Sequence, residues 1–413
     1  MTGSHPNQHG IVSNYWPNRE TGSLQYCVQD NNGNFTPENL VRPTLGDLLK
    51  DHDHQSKVYS ISAKDRAAII MAGKKGDAAY WYDKENGTFQ SSDYYDNSAP
   101  QWLKEFNSLK LLDSFFSQSW TPLPVDSNSL RLAKIRTLDQ GVFKKQLPLP
   151  VGGITLKPDS VFYTDIMNTP FIDEYTGLMA EEVLKKEQLG LDDHTDILAV
   201  SFSATDLIGH EYGPNSVEIL DNILRLDATI EHLLSNVEKL VGLEKVLVVF
   251  SSDHGVQAMP ELKGDSDKHH RRISTSNIQC IQGALNNEPD IKNMVTSYFT
   301  VTDLKALPVI KSAIKKCPYI DNVWTVLDIN TPSKNPYQQL YANSYFKGRS
   351  PDLFIQWREN FLPMFHKETN HGTPYPYDAH VPVIFYGANI EPKKIDQPFD
   401  TTMIVQHTIN HLK

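Results

Sequence analysis

The apolar run Val246-Leu247-Val248-Val249-Phe250 passes directly into Ser251-Ser252-Asp253-His254-Gly255. A short, largely β-branched run of this kind reads as a buried strand. Strands buried on both faces belong to parallel sheets covered by helices. Open α/β sheets bind their ligands beyond the C-terminal ends of such strands, and here that position holds an Asp and a His. Carboxylate and imidazole together suit zinc or a similar divalent ion. A second run, Ile197-Leu198-Ala199-Val200-Ser201-Phe202-Ser203, is followed by Asp206 and, four residues on, by His210. Two strand ends, each carrying an Asp/His pair, point to a metal centre with donors enough for two ions.

The same reasoning predicts strands at Val58–Ser62, Ala67–Met71, Ile197–Ser203, Val246–Ser251 and Val381–Tyr386, with helices at Thr176–Gln188 and Ser216–Leu240. Strands alternating with helices of this length predict an α/β fold with a doubly wound, mostly parallel sheet. Two stretches break the rhythm and are expected to be inserted segments over the strand ends. The expected organisation is therefore 1–100 as the N-terminal part of the core, 101–170 as a lid insertion and 171–270 as core with the metal motifs. Residues 271–360 form a second insertion, and 361–413 the C-terminal core.

With 413 residues, the chain can bury a substantial core. Its apolar fraction is 39%, and no stretch approaches the ~20 apolar residues of a spanning helix. A net charge of −11 disfavours nucleic acid and anionic membrane surfaces as partners. It does not disfavour a small anionic substrate, because a metal centre reverses the local field. The three cysteines, Cys27, Cys280 and Cys317, are widely spaced, form no C-x-x-C pair and are expected to be buried or incidental, with one disulfide and a spare thiol as the alternative.

Asp206 and His210 lie one helical turn apart, so both can converge on one ion, and Gly209 and Gly213 are expected to free the backbone around it. A further nitrogen ligand is expected from the histidine-bearing loop before Val381. His371, in front of Gly372, is preferred, with His380 as its competitor and His366 behind both.

These motifs, with the block Thr2-Gly3-Ser4-His5-Pro6-Asn7-Gln8-His9-Gly10-Ile11-Val12-Ser13-Asn14 and the block Ser62-Ala63-Lys64-Asp65-Arg66-Ala67, resemble the alkaline phosphatase superfamily. Within it, the chain looks most like the type I phosphodiesterase/nucleotide pyrophosphatase relatives, and among those the bacterial periplasmic phosphate-monoesterase branch. Ala79-Tyr80-Trp81-Tyr82-Asp83 and Pro214-Asn215-Ser216-Val217-Glu218 also match. The resemblance implies a phosphoric ester hydrolase acting on a small-molecule phosphate ester, with two zinc ions and a phospho-threonine intermediate. It implies that Asp206, His210 and His371 hold one zinc, that Asp253 and His254 hold the other, and that Asn14, Lys64 and Arg66 contact the phosphoryl oxygens. An ammonium and a guanidinium suit a dianionic monoester better than a diester. The alternatives are a phosphodiesterase or nucleotide pyrophosphatase, and a non-catalytic metal- or phosphate-binding remnant. A sulfatase is disfavoured because its Cys/Ser-x-Pro-x-Arg block is missing. The histidines favour zinc over manganese or calcium.

One departure stands out. The family's first core strand, which ends in a zinc-binding Asp, and its threonine nucleophile both lie upstream of the position matched by Asn14, which only thirteen residues precede here. Thr2 falls inside the later block and is expected to be a loop or cap residue. The sequence as written is thus expected to be N-terminally truncated, by a misplaced start or as a gene fragment, with one complete zinc site, a weak second one and little turnover. A periplasmic or secreted location is expected if a signal peptide lies upstream, since residues 1–13 carry none.

Overall fold

The computed structural model describes residues 1–95, 99–125, 147–152, 156–263, 271–273, 275–286, 291–295, 298–332, 334–362, 369–387 and 390–412. Ten strands matter to the argument. In chain order they are β1 (Val58–Ser62), β2 (Ala78–Asp83), β3 (Thr88–Gln90), β4 (Ile197–Ser201), β5 (Leu247–Ser251), β6 (Ile291–Val295), β7 (Tyr298–Val301), β8 (Ile320–Thr325), β9 (Leu353–Trp357) and β10 (Val383–Gly387). Five helices matter likewise: α1 (Leu45–His52), α2 (Asp65–Ala72), α3 (Phe171–Lys186), α4 (Ala204–Tyr212) and α5 (Val217–Leu240). The chain divides into two compact units, Met1–Gly3 with Val28–Ser251 and Pro382–Lys413, and Ser4–Cys27 with Ser252–Val381.

The first unit is the α/β core. Its main sheet has the order β3-β2-β1-β4; β1 runs parallel to both β2 and β4, and β3 is antiparallel to β2. A separate pair joins β5 to β10. The apolar core beneath includes Ile61, Tyr80, Leu103, Phe106, Trp120, Phe162, Ile172, Met179 and Ile208. Residues 101–125 and 147–152 thus contribute to this core through Leu103, Phe106, Leu112, Trp120 and Val151. Buried Asp221 fastens the segment around Trp120 to α5: it accepts from Trp120 Nε1 and from the Leu123 amide, each at 2.6 Å, and from Arg225 Nε at 2.8 Å.

Several expectations need correction. Ala67–Met71 is not a strand but the body of α2. The segment opens with Asp65, which suits a helix N-terminus, and its buried residues Ala68, Ile69 and Ala72 line one helical face. The neighbouring pair Ile69-Ile70 imitated a strand. The true next strand is β2, whose Ala78-Ala79-Tyr80-Trp81-Tyr82 are all buried. The last strand runs antiparallel to β5, with Phe385 opposite Val249, so the sheet character is mixed rather than parallel there. Burial also falls short. Every residue of β4 is half-exposed, and Phe250 of β5 is 41% exposed. Among the described residues β4 pairs with β1 alone and β5 with β10 alone, so each has an open edge.

The second unit contains a four-stranded antiparallel sheet of order β6-β7-β9-β8. Ile281, Leu285, Leu307, Ile310, Ile314 and Val323 build its core. A disulfide joins Cys280 to Cys317, while Cys27 is buried outside any disulfide. The hairpin Tyr15–Pro17/Leu24–Tyr26 belongs to this unit too. Among the described residues, no helix is long and apolar enough to cross a membrane.

Candidate functional site

In the first unit, β1 and β4 end side by side, with Ser62 opposite Ser201. Beyond β1 the chain turns into α2 with Lys64 as its N-cap, and beyond β4 it turns into α4 with Ser203 as its N-cap. Two parallel strand ends therefore deliver Lys64 and Asp206 to one place. Lys64 Nζ lies 2.5 Å from Asp206 Oδ2, and His210 Nε2 lies 3.3 Å from Asp206 Oδ1. Residues four apart share a helix face, so α4 presents Asp206 and His210 as a pair. Gly209 is an ordinary residue inside α4, while Gly213, at φ 81°, ends the helix. The expectation of a glycine-loosened loop around the ion is replaced by a rigid helical turn.

Lys64 is held from behind. Its amide donates to Ser62 Oγ at 3.0 Å, and Ser62 Oγ lies 3.2 Å from Ser203 Oγ. Arg66 sits in the first turn of α2. At the far end of α2, the Tyr95 hydroxyl donates to the carbonyls of Ile69 and Gly73 at 3.1 and 3.0 Å.

The second unit assembles another group. The rings of His254 and His371 stack with centroids 3.4 Å apart and planes 13° apart. Asp253 Oδ2 lies 3.3 Å from His254 Nε2, and the Asp253 side chain is 81% exposed. His254 Nδ1 is 2.9 Å from the Gly255 carbonyl oxygen. A proton on Nδ1, donated there, leaves Nε2 with its lone pair, the tautomer that binds a metal. Gly255 has to be glycine, because a Cβ there would collide with the Tyr377 carbonyl oxygen. Its amide donates to the Asp378 carbonyl at 2.7 Å. Asn14 is exposed at the mouth of the Tyr15–Pro17 hairpin, its carbonyl accepting from the Cys27 amide at 2.9 Å. His380 is exposed at the C-cap of the helix Pro376–Ala379. His366 lies outside the described residues.

Two acids went unnoticed in the sequence. Asp378 accepts from both the amide and the hydroxyl of Thr373 through Oδ2, at 2.8 and 2.7 Å, and burial raises its carboxyl above the usual range. Asp173 of α3 accepts from the amides of Ser203 and Ala204, at 2.8 and 3.0 Å. Neither sits in a recognisable motif; only the folded chain shows what they touch.

The donors present fit a divalent cation. Aspartate oxygens and imidazole nitrogens on rigid turns, with one histidine tautomer fixed by a backbone carbonyl, are what a zinc ion requires of its ligands.

The family described as type I phosphodiesterase / nucleotide pyrophosphatase matches residues 1–380. Alkaline phosphatase PhoV of Synechococcus elongatus is 29% identical over 96% of this chain and 77% of its own length. Alkaline phosphatase PafA of Elizabethkingia meningoseptica is 30% identical over 100% of this chain and 81% of its own. The crystal structure of wild type alkaline phosphatase PafA superimposes with a TM-score of 0.84 at 27% identity, covering 98% of this chain and 83% of that one. The family match and these similarities run along nearly the whole chain: it belongs to the type I phosphodiesterase / nucleotide pyrophosphatase family of phosphoric ester hydrolases.

Proposed function

We propose that the protein is a zinc-dependent phosphate monoesterase, with Asp206, His210 and His371 holding one ion tightly and Asp253 and His254 a second one weakly. Asn14, Lys64 and Arg66 bind the phosphoryl oxygens of a small phosphate ester. The observation that carries this reading is the Lys64–Asp206 contact, an ammonium beside a carboxylate at paired strand ends. A bound divalent ion would supply Lewis acidity toward phosphoryl oxygens and lower the pKa of a coordinated hydroxyl or water. The chain's own residues do the rest. Asp206 and His210, fixed on one helical face, chelate without rearrangement. Lys64 contributes a point charge and Arg66 a planar fork, which together reward the second negative charge of a monoester. The named relatives, alkaline phosphatases, favour the monoester over the diester reading.

We place the protein in an oxidising compartment, the periplasm or outside the cell. The Cys280–Cys317 disulfide supports this, because such bonds persist where thiols are not kept reduced.

The test is equilibrium binding of inorganic phosphate with and without Zn²⁺, with an aryl phosphate monoester and a bis-aryl diester as competitors. Phosphate is expected to bind only with zinc present, the monoester to displace it, and Lys64→Ala to weaken it about ten-fold, roughly one charge-assisted hydrogen bond. Binding that ignores zinc, or a diester that competes equally well and is indifferent to Lys64, would overturn the assignment.

A further inference from the structure

The helix that carries Asp206 and His210 is short, spanning nine residues. Helices of that length are not stable alone, so contacts from outside fix where α4 points. Its first turn exposes amides that need acceptors. Ser203, the N-cap, does not supply one: its side chain makes no capping bond, and its hydroxyl lies toward Ser62 Oγ instead. The acceptor comes from another helix. Asp173, in the first turn of α3 and 1% exposed, takes both the Ser203 and the Ala204 amides on Oδ1. A carboxylate at this end also complements the helix dipole.

We propose that Asp173 is the positioning residue of the metal-binding turn, fixing the N-terminus of α4 so that Asp206, three residues after Ser203, and His210 face one ion. The inference rests on the reading of Asp206 and His210 as metal ligands.

Packing alone does not account for the residue. Its second oxygen, Oδ2, is buried with no hydrogen-bond partner. A half-satisfied buried carboxyl is costly, and burial pushes this one up to about 7. Lys64 is near enough to oppose that shift, and Glu174 adds to it. An apolar residue of the same size would remove the cost, so the acceptor role is what Asp173 supplies. Two further contacts show that α4 is clamped rather than merely packed. Asn222 of α5 donates to Thr205 Oγ1 at 2.8 Å, and the Ser62–Ser203 pair ties the same turn to the Lys64 amide. Asp173 therefore sits behind both functional groups of the first unit, the Asp206/His210 pair and Lys64. Successive residues of a helix are ~100° apart. A small rotation of α4 about its axis consequently turns both ligands away together.

The experiment measures Zn²⁺ affinity by chelator competition, and the visible spectrum of the Co²⁺ form, for the wild type and for Asp173→Leu, Asp173→Glu and Asp173→Asn. Metal-free thermal melting is recorded beside them. Asp173→Leu removes the acceptor, Asp173→Glu keeps it but moves it by one methylene, and Asp173→Asn keeps it in place. Asp173→Leu and Asp173→Glu are expected to bind zinc about ten-fold or more weakly, the range typical of outer-shell partners, with altered Co²⁺ bands. Asp173→Asn is expected to stay within about three-fold of the wild type, a small fraction of that range. If Asp173→Leu fails to fold, Asp173→Glu against Asp173→Asn decides the matter. Wild-type affinity and an unchanged spectrum in Asp173→Glu, or equal losses in Asp173→Glu and Asp173→Asn, would overturn the proposal. A wild-type protein that binds no zinc would instead remove the metal reading on which it rests.

Discussion

At the scale of single residues, the site is a set of charges whose neighbours decide their use. Lys64 and Asp206 form a part-buried pair, with side chains 15% and 20% exposed. Such a pair joins two motifs that lie 142 residues apart in sequence. Asp206 and His210 were readable beforehand because their spacing and their place after a strand carry a chemical meaning of their own. Asp173 and Asp378 were not, since an isolated acid in a helix or loop has no pattern, and its meaning is the backbone it touches. Asp173 also makes a pH prediction. Its folded carboxyl is raised to about 7 by burial, whereas an unfolded Asp titrates near ~3.9. Between those values the folded chain holds the extra proton, so this contribution to stability is full below the unfolded pKa and is lost as pH rises toward 7. The melting temperature of Asp173→Asn relative to the wild type should accordingly climb between pH 4.5 and 7.5. A difference that stays flat or falls over that span would contradict the burial argument.

At the scale of elements, the sequence showed the long pieces and the strand-to-turn junctions well. Residues 176–186 and 217–240 are helical as expected, within a few residues at each end, because an apolar stripe sustained over many turns leaves little ambiguity. Short apolar segments were harder. The segment Ala67–Met71 satisfies both a buried strand and a helix against a sheet, and its alanines and methionine tip it to helix. Burial of β4 and β5 was overestimated because an apolar run shows that a strand has partners, not how many edges are covered. The anchoring of residues 119–125 was invisible, since it depends on Asp221 meeting Trp120, Leu123 and Arg225 at once. Asp221→Ala removes the acceptor shared by Trp120 Nε1, the Leu123 amide and Arg225 Nε, leaving Arg225 with Glu174 at 3.5 Å and the Thr121 carbonyl at 3.1 Å. Breaking a buried charged network in this way typically costs ~3–5 kcal/mol. Urea unfolding should show a loss of that order, and a loss below ~1 kcal/mol would mean that the network is solvated rather than structural.

At the scale of the whole molecule, the alternation of strands and helices disclosed an α/β core, whereas the antiparallel sheet of the second unit was foreseen only as a break in that rhythm. Its disulfide spans 37 residues. A loop of that length stabilises by about 4 kcal/mol on chain-entropy grounds. The Cys280→Ser/Cys317→Ser double variant should unfold at clearly lower denaturant, and reductant should lower the wild type to match; equal stability of all three would contradict it. The central claim is the metal centre, and zinc binding itself tests it most directly. Equilibrium dialysis should find Zn²⁺ on the wild type and on His380→Ala. Asp206→Ala and His371→Ala should each lose more than the ~100-fold that marks the upper range for outer-shell partners. Equal zinc affinity in the wild type, Asp206→Ala and His371→Ala would show that these residues are not its ligands.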